Sequence, residues 1–192
     1  MTFDEIIRKR QSVRSYDPDR PVTHAQIIAL LEAARLAPSA CNSQTWRFVV
    51  VTDRALLDKI HDEGMRLGVG NHFLKEAPCL IAGCSKLDLL ANTIGRSISG
   101  IDYYQVDLGI AMEHMALKAV DLGLGTCWIG WFHEKSIRKI LDIPKGVKIT
   151  CLLSVGYAKE ETLREKKRKA LEEISFENGW DAPLSGAVTV QK

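Results

Sequence analysis

The segment 101–123, IDYYQVDLGIAMEHMALKAVDLG, constrains the fold more than any other part of this chain. It is apolar on almost every face of a helix, and such a helix is buried on most of its faces. Asp107, Glu113, His114 and Lys118 interrupt the run, and no stretch of about 18 apolar residues occurs, so nothing here spans a bilayer. Two arrangements satisfy the pattern. The helix is central to its own domain, or it is shared with a second subunit. A chain of 192 residues, 46% hydrophobic, is long enough for one domain with a real core.

The elements around that helix are legible from their boundaries. TFDEIIRKR opens with Thr2 and Glu5 in a capping-box pattern and predicts a short helix. THAQIIALLEAARLAP repeats the pattern with Thr23 and Gln26, places Ile27, Leu30, Leu31 and Ala34 at helical spacing, and closes at Pro38. WRFVVVT reads as a buried strand, DRALLDKIHDEGMRLG as an amphipathic helix and PCLIAGC as a second strand. The small, polar stretch 91–100 reads as an excursion. GTCWIG is a short strand or turn, HEKSIRKILDI a helix and KITCLLSVGYA a strand. From Lys159 the chain is densely charged and then becomes a sparse tail. No repeat or internal linker is visible, so the expectation is one α+β domain over 1–192.

Formal net charge is +2, so nothing global points to nucleic acid or an anionic membrane. Around the KKRK run, Glu160, Glu161, Glu165, Glu172 and Glu173 argue further against a nucleic-acid surface. MTFDEIIRKR carries acids and no apolar run, unlike a signal peptide. The five cysteines, Cys41, Cys79, Cys84, Cys127 and Cys151, are scattered in apolar surroundings and read as reduced, buried thiols of a cytoplasmic protein. The histidines show no HExxH and no paired spacing, so no metal site is expected. The GxG pairs in GVGN and GLGT do not open a helix after a strand as GxGxxG does. No GxSxG elbow and no cysteine with a neighbouring histidine appears. The expectation is that no side chain is a covalent nucleophile; a cofactor does any chemistry.

Local charge is more informative. Arg10, Ser12 and Arg14 alternate, so an extended segment presents all three on one face. Lys166 and Arg168 repeat the spacing far away. A phosphate held by two to four charge-assisted bonds of about 1.5–3 kcal/mol each would be bound firmly. The same residues also fit a solvated helix end and a solvated charge run. PSACNSQTW brackets Ser39, Asn42 and Gln44 between a helix end and the first strand. Those side chains suit a ring with donors and acceptors, or ordinary loop chemistry.

In order, RKRQSVRSYDPDRPV, LEAARLAPSACNSQTWRFVVV, VDLGIAMEHMALKAVDLGLGTCWIGWF and LLSVGYAKE with KKRKALEEI resemble the flavin-dependent nitroreductase family, from about Ile6 to Ile174. The resemblance implies an α+β fold: a mostly antiparallel central sheet flanked by helices, in an intertwined homodimer with the long helix at its centre. It implies an extended tail from about residue 175 that crosses to the partner, with GAVTV as an added strand. It implies FMN as cofactor and NADH or NADPH as reductant. Hydride passes to flavin N5 and on to a nitroaromatic, quinone or similar small-molecule acceptor, in ping-pong fashion. Specialised relatives (dehalogenating, enone-reducing or flavin-consuming) and flavin-binding redox sensors are the alternatives.

By position, the resemblance assigns Arg10, Gln11, Ser12 and Arg14 to the flavin, with Arg10 and Ser12 at the phosphate. Arg14 lies near N1 and the C2 carbonyl, as a stabiliser of the reduced ring. Pro38, Ser39 and Asn42 lie beside the flavin, serving the partner's cofactor in a dimer. Ile129 and Gly130 approach the ring through backbone amides, and Lys166 with Arg168 meets the phosphate. Tyr103, Tyr104, Trp131 and Phe132 either line the slot or pack in the core. Two departures stand out. Thr45 replaces the proline of the SQPW pattern, which is expected to loosen the loop. Ile129 occupies a position that is acidic in several relatives, leaving only a backbone contact.

Overall fold

The structure, a computed structural model, describes residues 1–66, 71–86, 100–160 and 162–184. Most of the 91–100 excursion, residues 68–70 of GVGN and the GAVTV tail lie outside the described residues. The described chain divides into two units, Met1–Thr162 and a second that begins at Leu163.

In the first unit, four strands form a sheet: β1 (Trp46–Val51), β2 (Cys79–Lys86), β3 (Gly125–Ile129) and β4 (Val147–Gly156). Their order is β1-β2-β4-β3 and every pair is antiparallel. The helices are α1 (Phe3–Lys9), α2 (His24–Arg35), α3 (Arg54–Gly64), α4 (Tyr103–Asp121) and α5 (Glu134–Ile140). This is the expected α+β architecture.

The middle strands β2 and β4 are buried on both faces, and alternate residues feed two separate cores. On one face Leu80, Ala82 and Leu152 meet Leu57 and Ile60 of α3 and Ile137 of α5. On the other, Ile81, Leu153 and Val155 meet Leu30 of α2 and Leu108, Met112 and Met115 of α4. Each fully buried Leu, Ile or Met stabilises the fold by roughly 1.5–3 kcal/mol. A bulge at Gly83/Cys84 puts Thr150 out of register, so Ile149 and Cys151 face different cores although two residues apart.

Both expected capping boxes are present. Thr2 N–H donates to Glu5 Oε2 at 2.7 Å and Glu5 N–H to Thr2 Oγ1 at 3.3 Å. Thr23 and Gln26 make the same reciprocal pair at 3.0 and 3.3 Å. α4 ends in a left-handed glycine cap: Gly123 has φ 73°, and Leu124 N–H reaches back to the Ala119 carbonyl at 2.7 Å.

Of the two arrangements expected for α4, this chain alone does not make it a fully buried central helix. It is buried along one stripe (Tyr104, Asp107, Leu108, Ala111, Met112, Met115, Ala116, Ala119), and its other faces are half-buried or exposed. Val106 is 48% exposed and Tyr103 42%. α1 lies against α4 yet buries none of its residues, and Phe3 and Ile7 are exposed. No helix of the described residues is long and apolar enough to cross a membrane. Cys41 corrects an expectation: it is exposed, whereas the other four cysteines are buried. It sits in the polar loop after Pro38, where the chain departs from the core.

In the second unit, Leu171–Glu173 form a single 3₁₀ turn, Phe176 and Trp180 stack tilted at 5.2 Å, and Glu177 N–H donates to the Ala182 carbonyl.

Candidate functional site

The segment that leaves α1 is laid along the outer side of the edge strand β3. Ser12 forms a parallel bridge with Thr126, and Val13 N–H donates to the Thr126 carbonyl at 2.9 Å. Gly125 makes this approach possible, because a Cβ there would stand 2.5 Å from Val13 Cγ2. Both glycines of GLGT thus have backbone reasons, one a helix cap and one a close approach. Farther on, Tyr16 bridges Ala158, Asp17 N–H donates to Tyr157 O, and Lys159 N–H to Ser15 O. Tyr16 is fully buried, with its hydroxyl 2.7 Å from Ser154 Oγ. Glu76 accepts from Tyr16 N–H at 3.1 Å and Ser15 Oγ at 3.4 Å.

The segment runs along β3 here, but its burial does not follow the expected period of two: Val13 and Tyr16 are both buried, and Arg14 and Ser15 between them are both exposed. Val13 points into the core, Arg10 and Ser12 are half-buried, and Arg14 is exposed. The Arg14 guanidinium makes no ion pair with any described residue. Arg10 Nε lies 3.5 Å from Glu113 Oε1 of α4. A pair this open to solvent contributes about 1 kcal/mol or less, so it leaves Arg10 available to a stronger anion. Gln11 Nε2 donates to the Thr162 carbonyl at 2.9 Å.

β3 leads from Thr126 to the turn at Ile129 and Gly130. Ile129 is 3% exposed and packs in the core, so it offers only backbone. Gly130 is exposed, and nothing lies within 4 Å of where its Cβ would be. It borders an open cavity of about 760 Å³ shared with Arg66, Phe132, His133, Lys135 and Lys148. Beside it, burial is the largest influence on Glu134 and would raise its pKa. Hydrogen bonds from Lys148 and Arg138 outweigh it and hold the carboxyl below the usual range. Among the aromatics, Tyr104 and Phe132 are buried, while Tyr103 and Trp131 are exposed.

The polar loop is a separate structure. Ala40–Asn42 form one 3₁₀ turn in which Cys41 and Asn42 are left-handed (φ 51° and 52°), and Gln44 follows at φ 45°. Left-handed non-glycine residues are strained and persist only when their surroundings hold them. Here Gln44 N–H donates to Ser39 Oγ at 3.0 Å, and Gln44 Nε2 to Asn42 Oδ1 at 2.8 Å. Pro38 and Asn42 are exposed and Ser39 half-buried. The loop stands on α4, where Ala40 N–H donates to Asp107 Oδ1 at 3.0 Å and Ser43 Oγ to Oδ2 at 3.4 Å. Thr45 replaces a proline that would disfavour helical conformations at residue 44, so it admits the observed turn. The expected loosening meets an internally tied loop.

Among the described residues, no hydrogen bond or ion pair joins this loop to Arg10, Ser12 or Arg14. Lys166 and Arg168 belong to the second unit, where Arg168 Nη1 donates to the Lys167 carbonyl at 2.8 Å. Three polar side chains escaped the sequence reading as part of the site: Glu76, Asp107 and Glu113. Asp107 and Glu113 carried a signal, since each interrupts an otherwise apolar helix.

The residues suit a flavin mononucleotide. The Arg14 guanidinium, which makes no ion pair with any described residue, the Arg10 cation and the Ser12 hydroxyl lie close together in sequence on a segment pinned to β3. That strand ends at the open backbone of Gly130. This donor set is the chemistry that a phosphate dianion and an electron-rich ring edge require.

The profile of the nitroreductase family matches residues 7–68 and 65–157. An Archaeoglobus fulgidus protein provisionally named NADH dehydrogenase/NAD(P)H nitroreductase is 34% identical over 161 residues, 82% of this chain and 86% of that protein. The solved structure of an FMN-dependent nitroreductase from Clostridium difficile R20291 superposes with a TM-score of 0.75 at 29% identity, covering 91% of this chain and 98% of that one. A 5,6-dimethylbenzimidazole synthase of Rhodospirillum rubrum is 28% identical over 178 residues, 83% of each chain. This chain belongs to the nitroreductase family of oxidoreductases.

Proposed function

We propose that this protein is an FMN-dependent NAD(P)H oxidoreductase that reduces nitroaromatics, quinones or similar acceptors, working as a homodimer in the cytoplasm. The observation that carries this reading is the exposed, unpaired Arg14 beside Ser12 on a segment hydrogen-bonded to β3. Its chemistry matches the cofactor that the Clostridium difficile relative is named for.

Bound FMN would supply the two-electron chemistry, accepting hydride from the nicotinamide and returning electrons to the acceptor. The chain's own residues bind and orient. Arg10 and Ser12 would hold the phosphate end, with Gln11 a further proposed contact to the flavin. Arg14 places positive charge where the ring gains negative charge. The backbone of Ile129 and Gly130 would approach the ring. Lys166 and Arg168 are proposed phosphate ligands on sequence grounds alone. Burial pushes the thiols of Cys79 and Cys151 up to about 12 and that of Cys84 to about 11, so these three are poor nucleophiles at neutral pH. One open slot serving donor and acceptor in turn supports ping-pong kinetics.

The homodimer is supported by exposed Phe3, Ile7, Tyr103 and Val106 on α1 and α4, an apolar face that a second copy would cover. In that dimer, Pro38, Ser39 and Asn42 would serve the partner's cofactor. The similarity to a dimethylbenzimidazole synthase favours one second reading, a specialised member of the family.

A visible spectrum of the fresh protein, followed by anaerobic NADH and then NADPH, tests these readings. A yellow protein that bleaches and recovers its colour with a quinone or nitroaromatic is the expected result. Bleaching without recovery favours the specialised reading. A colourless protein that takes up no added FMN overturns the proposal.

A further inference from the structure

We propose that Asp107 is a positioning residue for the flavin, acting through the loop that carries Ser39 and Asn42. Asp107 lies on the buried stripe of α4 and is 3% exposed. It makes no ion pair with any described residue. A buried carboxylate without a counter-ion persists only when hydrogen bonds occupy its oxygens. Both oxygens are occupied here, and both donors come from the loop: Ala40 N–H at 3.0 Å on Oδ1 and Ser43 Oγ at 3.4 Å on Oδ2.

The two donors bracket Cys41 and Asn42, the left-handed pair of the turn. Backbone bonds from Asn42 N–H to Ser39 O and from Ser43 N–H to Ala40 O close the same turn at 3.0 Å each. One carboxylate thus ties both ends of a strained turn to a core helix, and the exposed Asn42 side chain projects from between the ties. A functional group on a loop is placed accurately only when a rigid element holds that loop. α4 is that element, since Met112 and Met115 anchor it fully buried against the sheet. The dependence is mutual: the loop shields the carboxylate, and the carboxylate holds the loop in an otherwise unfavourable shape.

The proposal rests on the reading that Ser39 and Asn42 touch the flavin, and its test separates the two. FMN is titrated into the full chain as wild type, Asp107→Ala, Asp107→Asn, Ser43→Ala, Asn42→Ala and Arg14→Ala, following flavin fluorescence. Hydrogen exchange is read in peptides covering 38–45 and 108–119. Asp107→Ala is expected to weaken FMN binding about tenfold and to speed exchange in 38–45 while 108–119 stays protected. Asp107→Asn keeps an acceptor for Ala40 N–H and should return affinity to within about threefold of wild type. Should Asp107→Ala fail to fold, Ser43→Ala carries the test, with the same selective opening of 38–45 and weaker FMN binding. Unchanged FMN affinity in Asp107→Ala, or in Ser43→Ala when it stands in, overturns the positioning role if Asn42→Ala and Arg14→Ala still weaken binding. Exchange opening throughout 108–119 without rescue by Asp107→Asn overturns it as well. FMN binding untouched in both Asn42→Ala and Arg14→Ala would instead sink the underlying reading, and the proposal with it.

Discussion

The basic segment 10–16 and the polar loop 38–44 both carry proposed flavin contacts, but they are held in opposite ways. The segment is held by backbone: Val13 pairs with Thr126, Asp17 with Tyr157 and Lys159 with Ser15, and the buried ring of Tyr16 pins its end. The loop is held by side chains: Asp107 from α4, Ser39 on Gln44 and Gln44 on Asn42. Backbone pairing tolerates many side-chain changes, whereas a loop tied by a few side chains depends on each. The basic segment should therefore fail mainly through packing, with Glu76 as its main side-chain tie. The loop should fail through single polar atoms.

The strongest way to break the first region is Tyr16→Ala. Removing a fully buried aromatic should cost about 3–5 kcal/mol, read as a lower midpoint in urea denaturation. A loss below about 1 kcal/mol would show that Tyr16 is no anchor. Next comes Gly125→Ala, which sets a methyl 2.5 Å from Val13 Cγ2. It should cost about 1–3 kcal/mol and loosen the segment that bears Ser12 and Arg14, weakening FMN together with stability. Stability lost with FMN affinity intact would detach the segment from the cofactor.

Arg14→Ala should leave the urea midpoint near wild type, because the side chain is exposed and unpaired. Its effect belongs to the flavin: losing a charge-assisted bond of about 1.5–3 kcal/mol predicts roughly 10- to 150-fold weaker FMN. A lower midpoint without a change in affinity would reverse that assignment. The smallest change is Ser39→Ala, which deletes one hydrogen bond to Gln44 N–H and should cost about 1 kcal/mol. Faster amide exchange confined to 38–45 is the expected signature, and equal exchange in 10–16 would erase the contrast between the regions.

The first region was legible in advance because its determinants are close in sequence. Arg10, Ser12 and Arg14 stand out within a few positions of one another, although the burial of both Val13 and Tyr16 departs from a two-residue period. The loop was legible only in composition. Its left-handed turn, its exposed Cys41 and its dependence on Asp107 follow from a partner 67 residues away. No local spacing encodes that distance. Cysteine is commonly buried, so the apolar reading of Cys41 followed its residue type while the turn carried it outward.

The same division runs through the whole molecule. The sequence alone determined the caps at Thr2 and Thr23, the strands and the length of α4, because these depend on groups within a few residues of one another. Only the tertiary structure decided the strand order, the bulge at Gly83 and the single buried stripe of α4. It alone decided that Gly125 admits Val13 and that Asp107 holds a loop. Each of these is a contact between distant segments, whose energy exists only once the chain has brought them together.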